Sequence, residues 1–447
     1  MAKENKTNGS AKAKAEPLPQ VNSGENSVAQ TATALNDRKD AALINPELLA
    51  AGEPNLITSP FGLFDGKVRI QRNNFLHKSL SDWSCNIALG CLHGCRFCYV
   101  PETSANKQTT ILGRHGIDDP DEQWGRYTLL RRWDESTFMA SLKSGEKVAA
   151  DKLSVDGNRA VMFCTTTDPY MVFTKEHSDN YQRMNAQRSF IMRRSLELIR
   201  DHSTLNVRIL TRGGAAVKDF ELFRSFGNRL MFGMSLPTLN ENWLKVYEPY
   251  APSASSRLKT LLAARAAGLH VYVAVAPTTP DCDRGDLDRT FQALKAVDPI
   301  TIYHEPINIR ANNVERIAAH AREIGQTVTL DVFENTTSWA AYALGQLRLV
   351  QKVAAEHGWS DRLHLWPDPD LRFDAKSKGA RFSFGNFQRM LHGGGRDARQ
   401  TKQADSVALV QHQAWIDGWW ARVSEWPGTN RAIDWNVPAL PEMPQGE

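Results

Sequence analysis

Three closely spaced cysteines provide the clearest chemical signal in this sequence. Cys91, Cys95 and Cys98 lie in the segment CLHGCRFC, with three residues between the first pair and two between the second. Thiolates at such short spacings can each bind one iron of a cubic iron–sulfur cluster. Three protein ligands leave the fourth iron with an open position, where a small molecule can bind and receive an electron. The spacing therefore predicts reaction chemistry rather than simple electron relay.

The same cysteines are also compatible with two other metal sites. Cys95 and Cys98 form a Cys-x2-Cys pair, which is half of many structural zinc sites. Further zinc ligands could come from Cys85, His93 or His77. Cys85 could instead complete a four-cysteine cluster that only transfers electrons. A second Cys-x2-Cys pair would favour zinc, and the sequence contains none.

The composition is typical of a large globular protein with reduced thiols. The chain has 447 residues, of which 41% are hydrophobic, and only six cysteines. A disulfide framework is therefore not expected. We expect a cytoplasmic location, because thiolate ligands for iron must stay reduced. No signal-peptide region or run of eighteen apolar residues is present, so no membrane association is expected. The net charge of +4 permits a polyanionic substrate without requiring one.

The composition changes along the chain and predicts three parts. Residues 1–55 lack aromatic residues and apolar periodicity, which predicts a disordered tail. Residues 56–335 form the predicted core, interrupted by a polar insertion at 102–155 with one expected helix at 124–142. Residues 336–447 are predicted to form an α-rich C-terminal extension.

Short apolar strands alternate with amphipathic helices through the core. Strands are predicted at 159–164, 205–210, 229–235, 270–276 and 300–303, with a further strand at 327–332. Together with a strand before the cysteines, the first five make six strand–helix repeats. Such alternation predicts parallel strands joined by right-handed crossovers. We therefore predict an α/β fold with a partial (β/α)6 TIM-like barrel and a C-terminal helical extension.

Small or polar residues follow each of these predicted strands. They are Cys164-Thr-Thr-Thr-Asp168, Thr211-Arg212-Gly-Gly, Ser235-Leu-Pro237, Ala276-Pro277 and His304-Glu305-Pro306. The carboxyl ends of parallel strands meet at one edge of the sheet, and active sites of such folds lie there. We therefore expect these residues to converge with the cysteine loop, which favours an enzyme site.

Six motifs from the core carry a resemblance to a known family. They are Cys91-x3-Cys95-x2-Cys98-Tyr99, Thr167-Asp168-Pro169-Tyr170, Ile209-Leu-Thr-Arg212, Met234-Ser235, Tyr247-Glu248-Pro249-x-Ala251-Pro252 followed by Arg257-Leu258, and Val273-Ala-Val-Ala276-Pro277. The cysteine motif resembles that of the radical S-adenosylmethionine (radical SAM) enzymes. The whole set resembles the spore photoproduct lyase-like branch of that superfamily, over residues 83–335 apart from the insertion.

The resemblance implies two cofactors and a reaction. A [4Fe-4S] cluster would be held by Cys91, Cys95 and Cys98, and its open iron would bind S-adenosylmethionine (SAM). An electron from the reduced cluster would cleave SAM to methionine and a 5′-deoxyadenosyl radical, which would remove hydrogen from a substrate. The electron would come from an external donor of the flavodoxin or ferredoxin type.

The resemblance also implies which residues contact SAM. They are Phe97, Asp168, Arg212, Ser235 and Ala276. Phe97 would lie near the adenine, and Arg212 and Ser235 would contact the carboxylate. Arg212 stands where the family has a lysine, which keeps the charge but adds a planar fork of donors. Asp168 would accept hydrogen bonds from the SAM amine or ribose, with an Asx turn as the structural alternative.

Outside the expected SAM contacts, Glu248 is expected to be structural. A carboxylate before proline, with Arg257 downstream, is typical of an internal ion pair.

Cys164 and Tyr99 are the candidate catalytic residues for hydrogen transfer. In photoproduct lyases a cysteine three residues before an aspartate returns a hydrogen atom to the product radical. Here Cys164 is four residues before Asp168, and a shift of one within a strand would reverse the face of the side chain. An inert buried thiol is the alternative. The family also has two tyrosines around the third cysteine, but here Phe97 replaces one and only Tyr99 is present.

The substrate is less constrained by the sequence than the cofactors. The branch resemblance and a basic segment with spaced aromatics at 381–402 favour a nucleic-acid base, and hence DNA repair. A surface loop is the alternative interpretation of that segment. A peptide or small-metabolite substrate and a non-enzymatic zinc or iron–sulfur module remain as competing hypotheses. Helices are predicted at 339–357 and, with a tryptophan-rich stripe, at 406–426.

Overall fold

A computed structural model describes most of the predicted core. The described residues are 58–72, 81–103, 108–149, 152–153, 159–310, 312–366 and 368. The predicted tail at 1–55, the basic segment at 381–402 and the helix at 406–426 lie outside them. Over the ranges described, no helix is both long enough and apolar enough to cross a membrane.

The described part of the chain contains strands and helices in alternation. The strands are β1 (Phe61–Lys67), β2 (Ile70–Arg72), β3 (Trp83–Cys85), β4 (Ala88–Gly90), β5 (Thr128–Arg132), β6 (Ala160–Phe163), β7 (Asn206–Thr211), β8 (Leu230–Ser235), β9 (His270–Thr278), β10 (Thr301–Pro306) and β11 (Leu363–Leu365). The α-helices are α1 (Thr109–Arg114), α2 (Glu135–Glu146), α3 (Tyr181–His202), α4 (Phe220–Arg224), α5 (Glu241–Tyr247), α6 (Ala254–Ala266), α7 (Arg284–Val297), α8 (Asn313–Glu323) and α9 (Thr336–Glu356).

Eight of these strands form the main sheet, in the order β11-β10-β9-β8-β7-β6-β3-β2. All neighbours from β3 to β11 are parallel, and only β2 runs antiparallel to its neighbour. Spatial order follows chain order, so each crossover moves the chain by one position, as in a TIM barrel and unlike a doubly wound sheet. Among the described residues, β2 and β11 each have a neighbour on one side only, so the sheet they end does not close into a full barrel. The predicted α/β fold with a partial barrel is confirmed.

The central strands form because their residues are apolar on both faces. All four residues of β6 and all six residues of β8 are buried. Parallel strands covered on both faces are typically continuous apolar runs of this kind. Helix α7 shows the complementary pattern, since Leu287, Phe291 and Leu294 recur at three- and four-residue steps on its buried face.

A small second sheet precedes and supports the cysteine loop. Its order is β1-β5-β4, and β4 ends immediately before Cys91. Strand β5 comes from the predicted insertion, where the helix predicted at 124–142 is wrong in its first half. The helix begins only at Glu135, where the Asp134 side chain accepts a hydrogen bond from the backbone N–H of Thr137. Pairing of β5 with both β1 and β4 overrides the helical pattern at 128–132.

The strand predicted at 327–332 is also wrong. Its apolar positions Val328, Leu330 and Val332 are only half-buried, and a 3-10 turn occupies Asp331–Phe333. The edge of β10 is instead paired with β11, in parallel. Helix α9 confirms the helix predicted at 339–357, and β11 extends the main sheet beyond residue 335.

Candidate active site

A cavity of about 280 Å³ opens among the residues that follow the parallel strands. This volume is near the lower end of the range for small-molecule sites. The cavity is lined by all ten residues predicted to hold cofactors or transfer hydrogen: Cys91, Cys95, Phe97, Cys98, Tyr99, Cys164, Asp168, Arg212, Ser235 and Ala276. The expected convergence of the strand ends with the cysteine loop is therefore present in the structure.

The shape of the cysteine loop depends on close approaches at glycine. Gly90 and Gly94 both have positive φ, at 78° and 52°. A Cβ on Gly90 would lie 2.4 Å from the carbonyl oxygen of Tyr127, and one on Gly94 would lie 3.0 Å from the Cα of Gly125. Glycine avoids both the conformational strain and the collision. At these two positions a residue other than glycine would therefore force a different backbone path on the cysteine loop.

The three thiols of the loop are in an apolar environment. Cys91 and Cys95 are buried and Cys98 is half-buried. Burial raises the pKa of each of the three thiols to about 12. Thiolates at this position would therefore need positive charge from a bound group, and a metal ion would supply it because metals bind the deprotonated form. Among the residues described, no three His, Cys, Asp or Glu side chains are grouped to hold a single metal ion.

Helix α8 holds the backbone of the cysteine loop. Arg316 Nε donates to the carbonyl oxygen of Arg96 at 3.2 Å, and a second Arg316 nitrogen donates to the carbonyl oxygen of Cys98. Asn313 Nδ2 donates to the carbonyl oxygen of Phe97 at 3.3 Å. Three successive carbonyl groups thus have donors on one helix. No sequence motif indicated this role for α8.

The predicted insertion completes this support. Asp121 pairs with Arg316, and both side chains are nine-tenths buried. Asn312 Nδ2 also donates to Asp121 Oδ2 at 3.0 Å. The segment at 108–132 is therefore built into the site, although the sequence alone suggested only an inserted polar stretch.

Asp168 links the ends of β6 and β7. Its Oδ1 accepts from the backbone N–H of Tyr170 at 2.8 Å and from Thr211 Oγ1 at 2.7 Å, and its Oδ2 accepts from the backbone N–H of Arg212 at 2.7 Å. The bond to Tyr170 is the Asx turn that was the structural alternative. His93 Nδ1 lies 3.5 Å from Oδ2, and burial lowers the pKa of His93 despite the opposing effect of this carboxylate. Asp168 therefore positions Arg212 as well as lining the cavity.

Arg212 is fixed by a chain of buried charges. Its Nε donates to Glu248 Oε1 at 3.0 Å, and Glu248 also pairs with Arg257. Arg257 Nη1 donates to the carbonyl oxygen of Ser235 at 3.2 Å. Burial alone would raise the pKa of Glu248, but Arg212 and Arg257 outweigh it and hold that pKa below its usual value. The predicted Glu248–Arg257 pair is confirmed, and its extension to Arg212 and Ser235 was missed.

The Arg212 guanidinium also covers the ring of Phe97. Its central carbon lies 5.7 Å from the ring centroid, within the range of a cation–π contact. The aromatic residue of the cysteine loop and the cation at the end of β7 therefore form one wall of the cavity.

Cys164 lies just past the end of β6, in an unusual conformation. Its φ is +63°, which is uncommon for a residue other than glycine. Cys164 and Met162 both line the cavity, and Phe163 between them is not among its lining residues. The one-residue shift relative to the photoproduct lyases therefore does not turn this thiol away from the site. Burial raises its pKa, so the sulfur keeps its hydrogen.

Several residues of the cavity were not predicted as site residues. They include Trp124, Asn308 and Trp366. Trp366 stacks on Tyr303, with ring centroids 4.5 Å apart. Its backbone N–H donates to the carbonyl oxygen of His304 at 2.9 Å. Trp366 reaches the cavity because β11 joins the sheet, and no local sequence signal indicated that pairing.

The fold and the site together define an open parallel α/β barrel with a three-cysteine loop at the carboxyl ends of its strands. This is the architecture expected from the radical SAM resemblance. No family model matches the chain. The chain is 28% identical over 258 residues to an uncharacterized protein, ORF301, of Acidianus two-tailed virus, covering 56% of this chain and 76% of that protein.

Solved structures that are similar to this chain include two mutants of spore photoproduct lyase and one other enzyme. A cysteine-to-serine mutant of the lyase has a TM-score of 0.48 at 12% identity, covering 69% of this chain and 81% of that chain. A double mutant with bound AdoMet and dinucleoside spore photoproduct has a TM-score of 0.46 at 12% identity, covering 69% and 82%. Methylornithine synthase has a TM-score of 0.35 at 13% identity, covering 71% and 84%.

Proposed function

We propose that this protein is a radical SAM enzyme that removes hydrogen from a substrate held in the cavity. The observation that carries the proposal is the convergence of Cys91, Cys95 and Cys98 with Arg212 and Ser235 on one cavity at the ends of parallel strands. A structural zinc module would need no such chamber. The proposed setting is the cytoplasm, with an external one-electron donor of the flavodoxin or ferredoxin type.

The residues of the loop fit the cluster that this function requires. Cys91, Cys95 and Cys98 would hold it, and their burial restricts access of water to the thiolates. A bound [4Fe-4S] cluster would supply the electron for reductive cleavage of SAM to methionine and the 5′-deoxyadenosyl radical.

Arg212, Ser235 and Phe97 would orient SAM beside the loop. The SAM carboxylate needs a charged or hydroxyl donor, and Arg212 offers nitrogens other than the Nε that Glu248 holds. Because that contact fixes one edge of the guanidinium, Arg212 meets its ligand without a large loss of rotamer freedom. Phe97, covered by the same guanidinium, would lie against the adenine.

Cys164 is the proposed hydrogen-atom donor to the product radical. In that step the Sγ–H bond breaks, a C–H bond forms on the product, and a thiyl radical is left on Cys164. Tyr99 lines the same cavity and carries a phenolic hydrogen that can restore the thiol, with the radical passing to the phenol. The high pKa of Cys164 supports this role because only the protonated thiol carries the hydrogen.

The proposed substrate is a nucleic-acid base, with repair of a damaged base as the reaction. Support comes from the resemblance to the spore photoproduct lyase-like branch and from Trp366, whose flat ring borders the cavity. Aromatic rings of this kind stack on bases.

The deciding experiment is anaerobic reconstitution with iron and sulfide, followed by dithionite reduction and chromatography for 5′-deoxyadenosine. We expect about four irons per chain and SAM cleavage, and neither in the Cys98→Ala variant. Zinc without iron and sulfide would overturn the proposal. Stimulation of cleavage by damaged oligonucleotides would support the nucleic-acid substrate, whereas stimulation by peptides or metabolites alone would reject it.

A further inference from the structure

Trp124 belongs to the predicted insertion but lies at the cysteine site. It is 2% exposed and lines the cavity together with the three cysteines of the loop. Its backbone N–H donates to the carbonyl oxygen of Asp121 at 3.2 Å, which ties it to the segment that Arg316 holds. The position of the indole is therefore fixed by the same framework as the cysteine loop.

The indole N–H of Trp124 is a hydrogen-bond donor without an acceptor among the described residues. Nε1 is fully buried, and no atom of the described chain accepts its N–H. Trp339 and Trp359, which are also buried, donate to the carbonyl oxygens of Ile307 and Phe291. Buried donors in proteins nearly always have an acceptor. An N–H without one beside a ligand cavity therefore points to an acceptor on the bound group.

The surroundings of the indole limit what that acceptor can be. Trp124 packs in one hydrophobic cluster with Cys91, Val100 and Tyr127, and Cys98 packs against the same cluster. Sulfur is the acceptor that these neighbours and an iron–sulfur cluster would bring to this apolar wall. The ring of Tyr127, with its centroid 5.9 Å from that of Trp124 in an edge-on arrangement, is the competing acceptor.

We propose that the Trp124 indole N–H donates a hydrogen bond to a sulfur of the cluster, either a cysteine Sγ or an inorganic sulfide. This inference rests on the proposed function, because it requires the cluster. A hydrogen bond to sulfur stabilises the more negative, reduced cluster and so raises its reduction potential. The insertion would then help to set the reduction potential of the cluster, and Trp124 would act as a positioning residue that tunes this potential.

The test is the Trp124→Phe variant, which keeps an aromatic ring and removes the N–H. The potential of the reconstituted cluster is titrated by electron paramagnetic resonance, at equal iron and sulfide content. We expect a shift to more negative potential, seen as a several-fold lower ratio of reduced to oxidised cluster at a fixed potential. Trp133→Phe is the matched control, since Trp133 packs on Phe138 and Phe190 away from the cavity.

A second measurement does not depend on the variant. Wild-type protein labelled with ¹⁵N in the indole should show a hyperfine coupling between that nitrogen and the reduced cluster. An unchanged potential in Trp124→Phe, or no indole coupling in wild type, would overturn the inference and leave the proposed function standing. Failure of wild-type protein to assemble any cluster would instead overturn the proposed function itself.

Discussion

Arg316 of α8 and Asp121 of the insertion form an ion pair in which both side chains are nine-tenths buried. The same guanidinium donates to two carbonyl groups of the cysteine loop. Two segments almost two hundred residues apart in sequence thus meet behind the loop that would hold the cluster. Their pairing fixes the backbone of the loop that carries the three cysteines.

Arg316→Gln should therefore weaken cluster binding as well as stability. Removing one partner of a buried ion pair typically costs about 3–5 kcal/mol, because the other charge is left unpaired. We expect fewer irons per chain after reconstitution and a lower urea midpoint. Arg322→Gln, at an exposed position on the same helix, is the control. Full iron loading in Arg316→Gln would contradict a role in holding the loop.

Glu248→Gln should weaken SAM binding without touching SAM. Glu248 holds Arg212 Nε at 3.0 Å and neutralises Arg257, so its loss frees one guanidinium and leaves another buried without its partner. We expect at least a tenfold rise in the Kd for SAM, equivalent to about 1.4 kcal/mol, measured by equilibrium dialysis with the reconstituted protein. Glu221→Gln, at an exposed position of α4, is the control. An unchanged Kd would show that Arg212 needs no fixing.

Arg212→Lys and Arg212→Ala should differ in their effects on SAM. Lysine keeps the positive charge but has neither the Nε–H that Arg212 donates to Glu248 nor the flat guanidinium that covers Phe97. We expect the lysine variant to bind SAM several-fold more weakly than wild type and the alanine variant more weakly still. Equal losses in the two variants would argue against a charge contact with the carboxylate.

Cys164→Ala should separate SAM cleavage from completion of the product. Because Cys164 is proposed to act after hydrogen removal, 5′-deoxyadenosine formation should persist while the normal product is lost. A thiol exchanges its hydrogen with solvent, so wild-type turnover in D₂O should place deuterium in the product. Mass spectrometry of the product is the measurement. Deuterium uptake that persists in Cys164→Ala would exclude this thiol as the donor.

His304 should make the protein less stable in mild acid. It is fully buried in β10, its Nδ1 lies 3.0 Å from the carbonyl oxygen of Val275, and burial lowers its pKa to about 4. Between that value and the unfolded pKa of about 6.5, the unfolded chain binds a proton that the folded chain does not, so stability falls as pH falls. This linkage amounts to about 2 kcal/mol by pH 5.

His304→Asn, which keeps a donor near Val275 but does not titrate, should lose about 2 kcal/mol less stability than wild type between pH 7 and pH 5. Urea unfolding at the two pH values is the measurement. The exposed His202→Asn variant controls for the loss of a histidine in general. The same loss of stability in His304→Asn and wild type would show that His304 is not the responsible group.

Local sequence patterns were sufficient to predict the convergence of the cysteine loop with the strand ends and the order of the strands. The spacing of Cys91, Cys95 and Cys98 is a local property, because ligands so close in sequence must be close in space. The bounds of β6 to β10 were predicted to within a few residues, because short continuous apolar runs between helices are typical of buried parallel strands. The polar residues after them had to meet at one edge once the strands were parallel.

Tertiary pairing decided what these local patterns could not. At 128–132 a helical pattern became β5 because β1 and β4 offered hydrogen-bonding edges. At the far edge of the sheet, the short strand β11 took the place predicted for 327–332 and carried Trp366 into the cavity. These pairings depend on which strand edge, distant in sequence, is available for hydrogen bonding. A short stretch of sequence carries no information about that edge.

The sequence by itself determined the three thiols, the six strand–helix repeats and the set of side chains at the strand ends. Only the tertiary structure decided which of those side chains are held and by what: Asp168 and Glu248 fix Arg212, and Arg316 with Asp121 fixes the cysteine loop. The physical reason is that hydrogen bonds and buried ion pairs depend on distances of about 3 Å between atoms from different elements. Composition and periodicity set the elements, but those distances exist only after the elements have packed.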